Sequence, residues 1–433
     1  LNPDARYLVQ PGRRVGGELT IPGDKSISHR ALMLGGIAEG RTEIHGFLPS
    51  EDCLATLAAL RAMGVKVDLP RSTQVVVHGV GAHGLSAPSQ VLDLGNSGTA
   101  LRLFMGLLAG QSFDSTLTGD ASLVKRPMER VAEPLREMGA LIETHAGKPP
   151  VRISGGRTLR AIDYDLPVPS AQVKSAILLA GLQAAGTTRV TEPAPTRDHT
   201  ERMLQGFGVH VSRDGATVAL EGGQRLTGTR IDVPADISSA AFFLVAGALA
   251  AHDGLVLRNV GMNPTRTGVI DILRLMGADI RMENARVSGG EPSADLRVRA
   301  SALRGVRIPE ALVPLAIDEF PVLFIAAAAA EGVTELRGAG ELRVKETDRL
   351  AVMAEGLGSL GVVHELLPDG IRIQGGSIGA GVVDSHGDHR IAMAFAVASL
   401  RATGPLEILD VANVATSFPG FAPLAQAVGL LIT

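Results

Sequence analysis

The sequence predicts an α/β (α+β) protein of two domains, each built from three copies of one helix-and-strand unit with buried helices. Three observations predict it. A glycine-centred phrase recurs six times at a near-constant spacing; an apolar helix pattern recurs once per period; and 433 residues exceed what one hydrophobic core usually organises.

The recurring phrase reads "apolar, Gly, apolar, then a β-rich stretch": AMGVKVD, EMGALIE, GFGVHVS, LMGADIR, SLGVVHE and AVGLLIT. Its glycines are Gly64, Gly139, Gly208, Gly277, Gly361 and Gly429, separated by 75, 69, 69, 84 and 68 residues. Each follows an amphipathic helix pattern and suits a C-cap that turns left-handed before a strand.

The second helix of each period is apolar on nearly all sides, as in TALRLFMGLLAG, SAAFFLVAGALAAHDG and FPVLFIAAAAAEG, and is therefore buried. Each runs into a β-type segment such as LVLRNV or LEILD, so the repeat is helix, strand, helix, strand pair. Units of roughly 70 residues exceed the length of solenoid repeats. Six units divide three and three, with the chain crossing near residues 231–238. The expected domains are residues 22–235, and residues 1–21 with 236–433, the first strand returning to the second half.

Composition narrows the function. Hydrophobic residues at 45% and charged residues at 20% describe an ordinary globular chain. A net charge of -4, no Trp and two Tyr provide neither a basic field nor stacking platforms, so nucleic acid is not an expected partner. No apolar run reaches the roughly 18 residues of a membrane span, and LNPDARYLVQ lacks a signal peptide's basic and apolar regions. The one cysteine, Cys53, fits a reducing cytoplasm and reads as a buried helix position.

Chemistry gathers just before the apolar helices: GDKSISHR at 23–30, GNSGTALR at 95–102, PSAQVK at 169–174, PADISS at 234–239, IDEF at 317–320 and GDHR at 387–390. Helix N-termini present unpaired N–H groups and partial positive charge, so several such ends make an anion trap for phosphate and carboxylate. Ser28, Ser238 and Asp388 would serve as plain N-caps. Capping does not call for Lys25, Arg30, Arg102 or Arg390, whose positive charges oppose the helix dipole there and favour a bound anion.

Three basic clusters lie elsewhere, VKRPMER at 124–130, TRDHTER at 196–202 and RVKETDR at 343–349. In the last, Lys345, Glu346 and Arg349 combine an acid/base candidate with two cations; a solvated helix turn with local ion pairs is the alternative. Competing motifs lack context. GVGAHG at 79–84 is followed by Pro88 rather than a helix, GDKS lacks the phosphate-loop GK[ST], and SLVK at 122–125 has no accompanying SDN or KTG. The 11 His show no metal-ligand spacing, so no metal is expected.

GDKSISHR, GNSGTALR, KRPM, SAQVKSA, RVKETDR, GDHRIAM and TSFPGF, in this order, resemble the 5-enolpyruvylshikimate-3-phosphate synthase family over nearly the whole chain. The resemblance implies an inside-out α/β barrel of the enolpyruvyl transferase kind, with parallel buried helices and the active site in the cleft between two domains. It implies transfer of the enolpyruvyl group of phosphoenolpyruvate to the 5-hydroxyl of shikimate 3-phosphate by addition and elimination, with no cofactor.

Carried over by motif, Lys25, Asp318 and Glu346 perform the proton transfers. Lys25, Gly98, Arg126, Gln172, Lys345, Arg349 and Arg390 hold phosphoenolpyruvate. Lys25, Ser26, Arg30, Ser170, Ala171, Gln172, Arg197 and Asp318 hold shikimate 3-phosphate. Ala171 stands where many members have a second Ser, and Thr416 where many have Lys; both resemble a variant branch found in some bacteria, and side-chain contacts to phosphate do not carry over at either. Gly98, often Ala in members tolerant of glyphosate, implies sensitivity. A cytoplasmic monomer is expected.

Two other readings stand beside this one. The related transferase acting on UDP-N-acetylglucosamine typically carries a Cys in the loop matching GDASLVKRPM, which here has none. A non-catalytic anion binder would keep the repeats, but would gain nothing from Asp318 and Glu346 among its cations.

Overall fold

The computed structural model describes residues 5–288 and 290–433. The chain divides into two compact units: unit I is Gly23–Val233 with Ser288–Glu291, and unit II is the chain up to Pro22, Pro234–Val287 and Pro292–Thr433.

Each unit alternates inner and outer helices. Unit I contains α1 (Lys25–Ile37), α2 (Glu51–Ala62), α3 (Gly98–Leu108), α4 (Glu129–Glu137), α5 (Ala171–Gly181) and α6 (His199–Gly206). Unit II contains α7 (Ile237–Ala250), α8 (Gly268–Leu275), α9 (Phe320–Ala328), α10 (Arg349–Ser359), α11 (His389–Ala398), the short α12 (Val414–Ser417) and α13 (Phe421–Val428). The odd-numbered helices α1 to α11 are the apolar ones. Every residue of α7 and of α9 is buried, which is what an all-round apolar sequence requires. In unit II, α7, α9 and α11 pack on one another; in unit I, α3 packs on α5.

The outer helices end as their glycines predict. Gly64, Gly139, Gly208, Gly277, Gly361 and Gly429 all have positive φ, between 74° and 111°. There a residue bearing a β-carbon would be strained.

Among the described residues six sheets accompany the helices, and they reveal a further element in the repeat: a short strand leading into each inner helix. Leu92–Asp93 leads into α3 and runs parallel to Ser115–Thr118, which follows it. Asp163–Asp165 and Thr187–Thr191 bracket α5 in the same way, and Gly381–Asp384 and Leu406–Leu409 bracket α11. Around α9 the leading strand shrinks to single bridges, Arg304 to Glu331 and Arg307 to Glu335, and that sheet has three strands.

The remaining two leading strands are exchanged. Gly17–Thr20 leads into α1 of unit I but pairs in unit II with Leu255–Gly261. Arg230–Asp232 leads toward α7 of unit II but pairs in unit I with Glu39–His45. Arg6–Gln10 completes the last repeat, lying between Leu406–Leu409 and the C-terminal Leu431–Ile432.

Candidate functional site

All six polar phrases fall at inner-helix starts. In unit I, Asp24 caps α1 by accepting the Ile27 N–H at 2.9 Å, and Ser28 instead accepts the Leu48 N–H at 3.1 Å, so the expected Ser28 cap is replaced by a residue one turn earlier. This leaves Lys25, Ser26 and Arg30 on the first turns. The Lys25 ammonium lies 3.0 Å from Asp52 Oδ2 on α2. Arg30 is buried; its Nε donates to Thr200 Oγ1 at 2.7 Å, its Nη2 to Ser175 Oγ at 2.9 Å and its Nη1 to the Ser26 carbonyl at 3.1 Å.

A second cluster forms at the start of α3. Arg126 donates to Asn96 Oδ1 at 2.6 Å and to Ser122 Oγ at 3.2 Å. Gln172, on the first turn of α5, accepts from Arg102 at 2.6 Å and donates to Thr99 Oγ1 at 3.0 Å. Gly98 sits against both arginines. Ser170 caps α5 through the Val173 N–H at 3.4 Å, and Ala171 is the helix's first residue. Arg197 is half-buried in the loop before α6. Arg102, singled out in the sequence as a helix-start cation, is assigned to neither ligand by motif matching.

Unit II assembles a different cluster around Arg349, the first residue of α10, which is 1% exposed. Its Nε donates to Asp388 Oδ2 at 2.8 Å, its Nη2 to Glu346 Oε2 at 2.6 Å and its Nη1 to Asp318 Oδ1 at 3.3 Å. Burial alone would disfavour the charge, yet Asp388, Glu346 and Asp318 together raise its pKa above the ordinary arginine value. The local Glu346–Arg349 pair that the solvated-turn alternative expects is present, but Arg349 itself is buried rather than solvated. Lys345 lies 3.7 Å from Asp318 and 3.9 Å from Glu341. Asp388 also caps α11 through the Arg390 N–H at 2.9 Å. The half-buried Arg390 guanidinium forms no ion pair among the described residues.

Other expectations resolve simply. Asp236, not Ser238, caps α7, and Ser238 donates its hydroxyl to Glu319. Thr416 is buried and donates to the Asn413 carbonyl at 2.7 Å. Cys53 is fully buried, which pushes its thiol far above the usual range. GVGAHG straddles the end of strand Gln74–Val80 and opens no helix. Among the described residues no helix is long and apolar enough to cross a membrane, and no three His, Cys, Asp or Glu are grouped to hold a metal.

Comparison with known proteins gives one answer. A family model described as EPSP synthase (3-phosphoshikimate 1-carboxyvinyltransferase) matches residues 9–424. The 3-phosphoshikimate 1-carboxyvinyltransferase of Alkalilimnicola ehrlichii is 65% identical over 99% of this chain and 96% of its own length. That of Methylococcus capsulatus is 63% identical over 99% and 98%. The EPSP synthase structure from Acinetobacter baumannii superposes with a TM-score of 0.88 at 56% identity, covering 99% of both chains.

Proposed function

The chain belongs to the EPSP synthase family, and we propose that the residue clusters of its two units divide that family's reaction between them. The reaction is the 3-phosphoshikimate 1-carboxyvinyltransferase step of the shikimate pathway, in which the enolpyruvyl group of phosphoenolpyruvate passes to the 5-hydroxyl of shikimate 3-phosphate and phosphate leaves. The substrates are small molecules.

The addition needs a base for the 5-hydroxyl and an acid for the methylene carbon; the elimination returns a proton from the new methyl group as phosphate departs. In our reading Asp318 takes the hydroxyl proton, Glu346 serves the methylene carbon, and Lys25 completes the proton transfers. The observation that carries this reading is the arrangement of Asp318 and Glu346 on opposite terminal nitrogens of one buried guanidinium, Arg349. Two carboxylates are thus held side by side and oriented, where an anion trap without chemistry would have no use for them.

Lys345, Arg349 and Arg390 in unit II, with Lys25, Gly98, Arg126 and Gln172 in unit I, are assigned to phosphoenolpyruvate. Ser26, Arg30, Ser170, Ala171, Gln172 and Arg197, with Lys25 and Asp318, are assigned to shikimate 3-phosphate. Ala171 has only its backbone N–H to offer phosphate, as the first residue of a helix. In this reading one reaction draws on residues of both units. A monomer working in the cytoplasm, without cofactor or nucleic acid, completes the proposal.

The test is phosphate release from phosphoenolpyruvate. Release is expected with shikimate 3-phosphate and not with UDP-N-acetylglucosamine, and the reverse pattern would sink the assignment. Glu346→Gln and Lys25→Met are each expected to lower kcat by about 10²- to 10⁴-fold with an unchanged circular dichroism spectrum. Near-parental turnover in either would remove that residue from the chemistry.

A further inference from the structure

Behind the arginines assigned to the shikimate phosphate lies a buried ion network that no step of the reaction uses. The Lys174 side chain on α5 has no exposure, and its ammonium sits 2.7 Å from Glu201 Oε1 on α6 and 3.0 Å from Glu192 Oε1 in the loop after strand Thr187–Thr191. Both contacts are ion pairs between buried groups. The second Glu192 oxygen lies 3.2 Å from Arg213, and the Thr196 hydroxyl donates to the first. Two cations and two carboxylates therefore balance, with both glutamates almost wholly enclosed.

Stability gives little reason to keep such a network. Well-packed apolar residues of equal volume generally serve a core as well as a buried ion pair or better, whereas removing one member strands the others. What the network does provide is fixed geometry, and its place in the fold is informative. Thr196 immediately precedes Arg197. Lys174 and Glu201 immediately adjoin Ser175 and Thr200, whose hydroxyls lie 2.7 Å apart and together hold Arg30. Lys174 also lies on the first turn of the helix that Ser170 caps and that carries Gln172.

We infer that Lys174, Glu192 and Thr196 are positioning residues for shikimate 3-phosphate: they fix the loop that carries Arg197 and set the hydroxyl pair that orients Arg30. The inference rests on the assignment of Arg30 and Arg197 to that ligand. None of the three touches it. Thr196 joins Glu192 to the start of the Arg197 segment, so losing its hydroxyl frees the loop while leaving Lys174 its carboxylates.

Lys174→Met would strand two buried carboxylates and is expected to unfold the chain, so Thr196→Val is the informative variant. Titration calorimetry with shikimate 3-phosphate should give a Kd raised about three- to tenfold, the range of one lost hydrogen bond. KM for shikimate 3-phosphate should rise in parallel, kcat and KM for phosphoenolpyruvate should change far less, and Thr196→Ser should restore affinity. A Thr196→Val protein with a lowered Tm and parental Kd would overturn the positioning role. Arg197→Ala, measured alongside, separates the two levels. An unchanged Kd in that variant removes the ligand assignment itself, whereas a weakened Kd there with none in Thr196→Val removes only the inference.

Discussion

A β-carbon at position 98 would lie 3.1 Å from Nη1 of both Arg102 and Arg126. Ordinary van der Waals contact is longer, so Gly98→Ala should displace the two guanidinium tips by a few tenths of an ångström. With Arg126 assigned to phosphoenolpyruvate, KM for that substrate should rise on the order of tenfold. Glyphosate, for which this family is the target, should lose more affinity than the substrate; parallel inhibition curves for variant and parent would contradict this account. His29 supplies a second prediction. It is buried between Thr56, whose hydroxyl is 2.8 Å from Nδ1, and Ser97, 3.4 Å from Nε2. Burial first, then Lys25 and Arg30, lowers its pKa well below the ordinary histidine value. The folded protein therefore holds this ring neutral while the unfolded chain takes up a proton below about pH 6.5. The resulting stability is present above that pH and is lost as pH falls, at up to about 1.4 kcal/mol per pH unit. Urea unfolding between pH 7 and pH 5 should show a shallower loss for His29→Gln than for the parent; equal slopes would mean that His29 charges in the fold. At this scale the sequence exposed cations, because a positive charge at a helix start is locally anomalous. It concealed the groups that orient them: Asp52 reaches Lys25 across 27 positions, Ser175 reaches Arg30 across 145 and Thr200 across 170, and none stands out among its own neighbours.

Elements were legible in proportion to their length. An inner helix such as α7, uncharged over all 14 residues and apolar beyond its first turn, cannot be anything but buried, and a Gly between an amphipathic stripe and a β-rich run can only close a helix. The leading strands escaped notice because two or three residues, as in Leu92–Asp93 or Asp163–Asp165, are too few to show alternation. Their pairing comes from the helix that follows, which returns the chain parallel to itself. Asp388 caps α11 as expected, but the caps expected at Ser28 and Ser238 failed for a related reason. GDKSIS and PADISS each contain three oxygen-bearing residues able to cap, and Asp24 and Asp236 win over Ser28 and Ser238 because the serines are already inside the helix, where their hydroxyls meet Leu48 and Glu319 instead. The buried Lys174 network had no signature either, since its four charges come from separate elements and read individually as solvated surface.

Over the whole chain the sixfold period was readable because repetition survives where single motifs are ambiguous. The long interval before Gly361 contains the hairpin of Asp279–Ser288 and Glu291–Arg299, whose strands are 10 and 9 residues long. Residues 1–21 were expected to return to the second half and the chain to cross near residues 231–238; the strands that Gly17–Thr20 and Arg230–Asp232 pair with were not readable, because each partner lies far away in sequence. The assignment of ligands to units gives a test that reaches every repeat. The cations assigned to the shikimate phosphate lie in unit I, on α1 and before α6, while RVKETDR and GDHR of unit II are assigned to phosphoenolpyruvate alone. Amide hydrogen exchange reports local opening along the chain, and a ligand slows exchange wherever it stabilises the segment that binds it. Shikimate 3-phosphate alone should therefore slow exchange at the starts of α1 and α5 and across residues 192–200. The starts of α10 and α11 should stay at their free rates until phosphoenolpyruvate or glyphosate is added. If shikimate 3-phosphate by itself protected the α10 and α11 starts as strongly as those of unit I, the division of the two anions between Arg30 with Arg197 and Arg349 with Arg390 would have to be redrawn.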